Sequence, residues 1–404
     1  MLTTVSAPAL ELNASYYTTA FESSSTLDGF SVSVIESGNA TSTPYMLPEY
    51  IRTTSMAVCI VVMVLGIIGN LMVPLVVLRG KDMRNSTNIF LVNLSAADLC
   101  VLLICAPTVL VEVNSGPQVW PLGEHMCKAV PFVELTVAHA SVLTILAISF
   151  ERYYAICEPL RAGYICTKAR AIFLCILAWI VAAVCTSPII SMTNYGMERD
   201  SNGMELPACQ TQAKTIWPTV FFLITIAVFF IIPWLILIIL YTIIARNLMA
   251  NPAITRGPSS NLMKYRKQVV LMLGTVVTNF FICLLPFRAF TFWIIVAPIT
   301  AILDLGIEAY FCLLYICRIM FYLHSAINPI LYNLMSTKFR EGFLRLCGLS
   351  RKERTNVTTS GRTGTTTSSN HSDFWRRQSN KSCTVQVSSI IAEKPVKKKE
   401  ESFV

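Results

Sequence analysis

Charge is what this sequence has least of. Only 14% of its 404 residues are Asp, Glu, Lys or Arg, while 54% are apolar. A soluble chain of this length would carry far more charge on its surface, so the balance points to an integral membrane protein. Histidine is scarce: His125, His139, His324 and His371 are scattered, and no metal site is indicated. The 14 cysteines include no CxxC pair, and most lie inside apolar runs (Cys59, Cys100, Cys105, Cys175, Cys185, Cys283, Cys317), where they pack as small hydrophobes. A disulfide framework is not expected. The first residues, Met-Leu-Thr-Thr-Val-Ser, lack a basic segment and a sustained apolar core. No cleavable signal peptide is expected there, and the first spanning helix would serve as insertion signal. Bases are also missing before Arg52, a stretch that carries Glu11, Glu22, Asp28, Glu36 and Glu49, whereas the end of the chain after Tyr332 is rich in Lys and Arg. The net charge of +9 is therefore a gradient along the chain, and no nucleic acid partner follows from it.

What is present is seven apolar stretches, at about 55–78, 87–113, 129–156, 171–192, 216–244, 269–296 and 308–334. Each is long enough to cross a ~30 Å hydrocarbon layer as a helix. The third is the longest in reach: at ~1.5 Å per residue it runs ~37 Å from Cys127 to Arg152. Basic connectors follow the first stretch (Arg79, Lys81, Arg84), the third (Arg161, Lys168, Arg170) and the fifth (Arg246, Arg256, Lys264, Arg266, Lys267). The other connectors carry Glu124, Glu198, Asp200, Glu205 and Asp304. That alternation places the N-terminus outside and the C-terminus inside. The expected fold is an all-α bundle of seven transmembrane helices (53–335) with a short amphipathic eighth helix on the membrane surface (336–347). In that helix Phe339, Phe343, Leu344 and Leu346 form an apolar stripe beside Lys338, Arg340 and Arg345, as suits contact with membrane lipids, and Cys347 is a candidate for palmitoylation. Residues 1–52 read as a disordered extracellular tail with glycosylation sequons at Asn13 and Asn39. Residues 348–404 read as a disordered cytoplasmic tail, and its end, Ser402-Phe403-Val404, suits capture of a C-terminal carboxylate by a PDZ domain.

The motifs inside the stretches carry a resemblance. Gly69-Asn70-Leu-Met-Val73, Leu94-Ser-Ala-Ala-Asp98-Leu99, Glu151-Arg152-Tyr153, Trp179, Pro233 with Tyr241, Phe280 with Pro286, and Asn328-Pro329-Ile-Leu-Tyr332 occur in order on the right stretches. Together they resemble the rhodopsin family of G-protein-coupled receptors over about residues 52 to 347. Within that family, the run from Lys81 to Phe90 and the third stretch through Glu158-Pro-Leu160 resemble the branch of insect ecdysis-triggering hormone receptors, near those for thyrotropin-releasing hormone and neuromedin U. The resemblance implies a plasma-membrane receptor, not an enzyme, for an amidated neuropeptide of the Pro-Arg-X-amide type. It implies coupling to a heterotrimeric G protein of the Gq class and calcium release, with arrestin and receptor kinases acting on the Ser/Thr-rich tail. A receptor for another amidated peptide, thyrotropin-releasing-hormone-like or neuromedin-like, is the alternative. A transporter, the rival class, is disfavoured by the odd number of spans and the lack of inverted repeats and of paired broken helices.

Several site readings follow, some with two alternatives. The resemblance implies a disulfide between Cys127, which opens the third stretch on the outer side, and Cys209 in the connector after the fourth. Asp98 is either a neutral, hydrogen-bonded structural acid or, by resemblance, a sodium or proton site completed by Asn70, Ser325 and Asn328, since oxygen ligands suit a hard cation. That ion would be the one cofactor. Arg152 is either a snorkelling arginine at a helix end or, by resemblance, a switch. In the switch reading it pairs with Glu151 at rest and later swings toward Tyr241, with Tyr153, Pro329 and Tyr332 in the same machinery, while Pro233, Val142 and Phe280 repack and the sixth helix moves outward at Pro286. Glu134, Arg288 and Arg318 lie two to three turns in from the outer face, where unpaired charges are costly. Either Glu134 forms an internal salt bridge with Arg288 or Arg318, or it receives a basic peptide group while an arginine donates to the peptide's carbonyls or amide end. Glu112, Phe287, Phe292, Trp293 and Tyr315 are further candidates for the same cavity. Many members carry tryptophan two residues before the sixth-helix proline; here Leu284 holds that place, so the trigger must pass through other contacts, such as Phe280, Phe287 or Arg288.

Overall fold

The computed structural model describes residues 46–80, 83–199, 204–211, 215–250 and 260–348. The sequons at Asn13 and Asn39 and the C-terminal Ser402-Phe403-Val404 lie outside them. Seven helices are long and apolar enough to cross a membrane: α1 (Glu49–Arg79), α2 (Ser86–Ser115), α3 (Gly123–Cys157), α4 (Lys168–Thr186), α5 (Ile216–Ala250), α6 (Ser260–Val296) and α7 (Ile307–Met335). A surface helix, α8 (Thr337–Leu346), follows. Several helices start where a side chain supplies a partner for the first amide groups or the chain cannot continue its previous course. Asn85 accepts from the Asn88 amide ahead of α2, Thr167 from Arg170 ahead of α4, and Ser336 from Phe339 ahead of α8. Gly306, at φ 76°, turns the chain into α7 in a conformation that suits glycine.

The helices form one bundle with α3 at its centre, against α2, α4 and α5, while α7 packs between α1 and α6. Exposed apolar side chains cover the outsides of α1, α4 and α5, as a lipid-facing surface requires. The α1–α7 contact depends on a glycine: a Cβ on Gly69 would sit 2.8 Å from Pro329 Cβ, in a rigid ring. In α8, Phe339 is buried against Tyr332 while Leu344 stays exposed, so the buried edge of the stripe is narrower than the sequence suggests.

Three features depart from a plain helical bundle. The connector after α4 holds an antiparallel hairpin, β1 (Thr193–Arg199) with β2 (Glu205–Thr211), in which Tyr195 pairs with Cys209. The disulfide Cys127–Cys209 ties this hairpin to the outer end of α3, and Val119 bridges to Ala208 from the α2–α3 connector. Then α2 and α5 each contain one π-helical turn, at Val101–Cys105 and Ala227–Ile231. A π turn takes one extra residue and so rotates every later side chain about the helix axis. In α2 this precedes Glu112.

Candidate ligand site and the polar column beneath it

Four charged side chains are buried in the half of the bundle nearer the β1–β2 hairpin: Glu112 on α2, Glu134 on α3, Arg288 on α6 and Arg318 on α7. Both acids and both bases lie out of water, so their formal charges cancel, yet their contacts are uneven. Arg318 donates to Glu112 at 2.5 Å and also reaches the Thr108 hydroxyl at 3.5 Å and the Tyr322 hydroxyl at 3.4 Å. Tyr322 in turn donates to Glu134 at 3.0 Å. Glu112, Arg318, Tyr322 and Glu134 therefore form one chain of hydrogen bonds across α2, α7 and α3. Neither expected salt bridge of Glu134 forms: Arg318 is taken by Glu112, which the π turn of α2 precedes, and Glu134 accepts from a neutral phenol instead. Tyr322 and Thr108 were not anticipated, although each stands one helical turn from its charged partner (Arg318 and Tyr322; Thr108 and Glu112), the spacing that puts two side chains on one face.

Arg288 differs from the other three. It is 3% exposed, and among the described residues no hydrogen bond or ion pair reaches it; its Nε is a buried donor without a partner. The opposite charge that acts on it is Glu134, from beyond ion-pair distance. A buried charge left unmatched costs several kcal/mol. The arrangement supplies a free donor on α6 and a partly satisfied carboxylate on α3, and a group with an acceptor and a donor, or with an anion and a cation, could bridge them. Of the aromatic candidates, Phe287 packs on Phe321 at 5.8 Å and Trp293 stacks on Phe290 at 5.9 Å. Tyr315 is buried against Phe311, at 6.1 Å. Phe292 is exposed on the outside of α6 and does not line the site.

Deeper in the bundle Asp98 accepts from Asn328 at 3.0 Å and lies 3.4 Å from His324 Nε2. His324 also contacts the Ser325 hydroxyl at 3.2 Å, while Asn70 donates to the Ser325 carbonyl at 2.8 Å and to Gly66. Asn70 thus joins this group through Ser325 and not by a bond to Asp98. Among the described residues the side-chain oxygens of Asn70 and Asn328 are buried without donors, so acceptors are in excess in this polar group, as a cation or a bound proton would require. His324 was missed from sequence; its signal is its place one turn before Asn328 on α7. It also makes edge contacts with Phe321 at 5.4 Å and Phe280 at 5.2 Å. A line of ring contacts, Phe287 to Phe321 to His324 to Phe280, therefore joins α6 to α7, while Leu284, between Phe280 and Phe287 in sequence, is fully buried.

At the end of the bundle nearer α8, Glu151 accepts from three side chains. Arg152 donates to it at 2.8 Å, Ser86 at 2.8 Å and Thr87 at 2.9 Å, and Arg152 also contacts the Thr87 hydroxyl. Tyr241 meets Ser149 at 3.4 Å, and among the described residues the buried Tyr332 hydroxyl has no partner. Tyr153 donates to Glu158 at 3.3 Å, away from Arg152.

This geometry can be set beside known proteins. Residues 69–332 match the model of the 7 transmembrane receptor (rhodopsin family). The chain belongs to that family. It is a receptor, and not an enzyme. It is 36% identical over 297 residues to the growth hormone secretagogue receptor type 1 of Mus musculus, covering 72% of this chain and 80% of the relative. The Homo sapiens form is 34% identical over 296 residues, with the same coverage. The thyrotropin-releasing hormone receptor of Mus musculus is 31% identical over 329 residues, 75% of this chain and 81% of the relative. In the receptor the three groups of polar side chains line up from the outer site through Asp98 to Arg152.

Proposed function

We propose that this receptor binds an amidated peptide at the site of Glu112, Glu134, Arg288 and Arg318 and signals through a G protein of the Gq class and calcium, from the plasma membrane with its N-terminus outside. The observation that carries the reading is the unmatched Arg288 facing Glu134. A terminal carboxamide offers a carbonyl to one and N–H groups to the other, and a basic side chain of the peptide would sit on the carboxylate. The relatives' names, secretagogue and thyrotropin-releasing hormone receptors, support a hormone-class ligand. The resemblance to the ecdysis-triggering hormone branch favours a Pro-Arg-X-amide ending over a thyrotropin-releasing-hormone-like or neuromedin-like one.

Peptide binding and G-protein binding would each favour a state in which α6 has moved outward at its cytosolic end, so each raises the affinity of the other. Asp98, with Asn328, Ser325 and Asn70 near it, would hold a sodium ion or a proton in the resting state, neutralising the carboxylate. Glycans at Asn13 and Asn39, a palmitoyl chain on the exposed Cys347, arrestin and receptor kinases at the tail, and a PDZ domain at Ser402-Phe403-Val404 complete the proposal. The test is a calcium assay of the full chain in cells that lack it, against amidated peptides and their free-acid forms. Response to a Pro-Arg-X-amide peptide with loss on de-amidation is expected; equal response to amide and acid would contradict the reading.

A further inference from the structure

The cytosolic face poses a question that the Arg152 network does not answer. Among the described residues, every partner of Arg152 lies on α2 or α3, and none lies on α6. Among the side chains described, one hydrogen bond joins the cytosolic half of α6 to another helix: Gln268 donates to the backbone carbonyl of Met335 at 2.7 Å. Met335 is the last residue of α7, and Ser336 beyond it is extended, at φ −121° and ψ 112°. A helix end leaves its last carbonyls without intrahelical donors, and the break before α8 prevents the chain from supplying one here. Gln268 fills that vacancy from a different helix. Its amide stands at a cleft shared with Arg152, Met272, Lys338 and Phe339, so an outward movement of α6 must break this bond first.

We propose that Gln268 is an autoinhibitory latch, which closes α6 onto the C-terminus of α7 and lowers the population of the open receptor before any ligand binds. This rests on the reading of the chain as a receptor whose sixth helix swings outward. The contact is exposed to water, and a hydrogen bond of that kind shifts an equilibrium roughly two- to tenfold.

The experiment measures distances between spin labels on unnatural residues at Leu271 and Leu334, in the full receptor in lipid nanodiscs without peptide or G protein. Both positions are exposed. Gln268→Met keeps the length of the side chain and removes the donor; Gln268→Lys keeps a donor. The expected result is an open population about two- to tenfold larger in Gln268→Met, with Gln268→Lys close to the wild type. An unchanged distribution in Gln268→Met, or equal opening in both variants, overturns the latch. Basal nucleotide exchange on a Gq heterotrimer is read in parallel. Opening in Gln268→Met without faster exchange leaves the latch standing and removes the coupling reading instead.

Discussion

The two ends of the polar column are built differently. At the end nearer α8 the acid Glu151 has three donors (Ser86, Thr87 and Arg152), and its charge is paired with Arg152. At the outer end two acids face two bases, but only Glu112 and Arg318 form a pair, and Arg288 is left buried with no partner among the described residues. Equal numbers of opposite charges therefore do not mean equal satisfaction. At the matched end the acid is held by side chains of the chain itself, although Arg152 Nε is buried without a partner among the described residues. In the proposed function, the unmatched end is a site whose balance a ligand completes, at the cost of stability in its absence.

This comparison can be broken by removing one charge at a time. The largest change is expected for Arg318→Met, which strands Glu112 in the bundle. A loss of about 3–5 kcal/mol, seen as a large drop in thermal stability and in surface expression, should be restored by the double change Glu112→Met with Arg318→Met. Failure of that rescue would mean that Arg318 stabilises through something other than its pair. Next is Arg152→Ala. Glu151 keeps its two hydroxyl donors, so surface expression should persist while calcium signalling is lost; full signalling would leave Arg152 as a snorkelling residue only. The smallest effect concerns the frame that holds both ends. Gly69→Ala pushes a Cβ against Pro329 and should cost about 1–3 kcal/mol by overpacking, visible in thermal denaturation of the purified receptor with peptide affinity unchanged.

The seven spans and the motif residues were legible because length, apolar character and order in the chain define them without knowledge of packing. The disulfide was legible through the resemblance. The hairpin of β1 and β2 was not, since its strands are short, largely polar and interrupted by Pro207. The partner of Arg318 was hidden for a geometrical reason. Which way Glu112 faces depends on the extra residue in the π turn at Val101–Cys105, and the apolar run there reads as unbroken α-helix. Tyr322 and His324 carried a weak signal in their one-turn spacing from Arg318 and Asn328, which is visible only once the facing helix is known. Leu284 was legible as a departure from the family pattern, but the ring contacts through His324 that bypass it depend on the packing of α6 against α7.

The central claim is that Arg288 is left unmatched for a ligand, and Arg288→Met tests it most directly. Thermal stability of the purified variant and its affinity for a Pro-Arg-X-amide peptide should be measured on the same preparation. Stability within about 1 kcal/mol of the wild type, or above it, together with at least a tenfold loss of affinity, about 1.4 kcal/mol, is the predicted result. A variant that is strongly destabilised yet binds the peptide as the wild type does would contradict it.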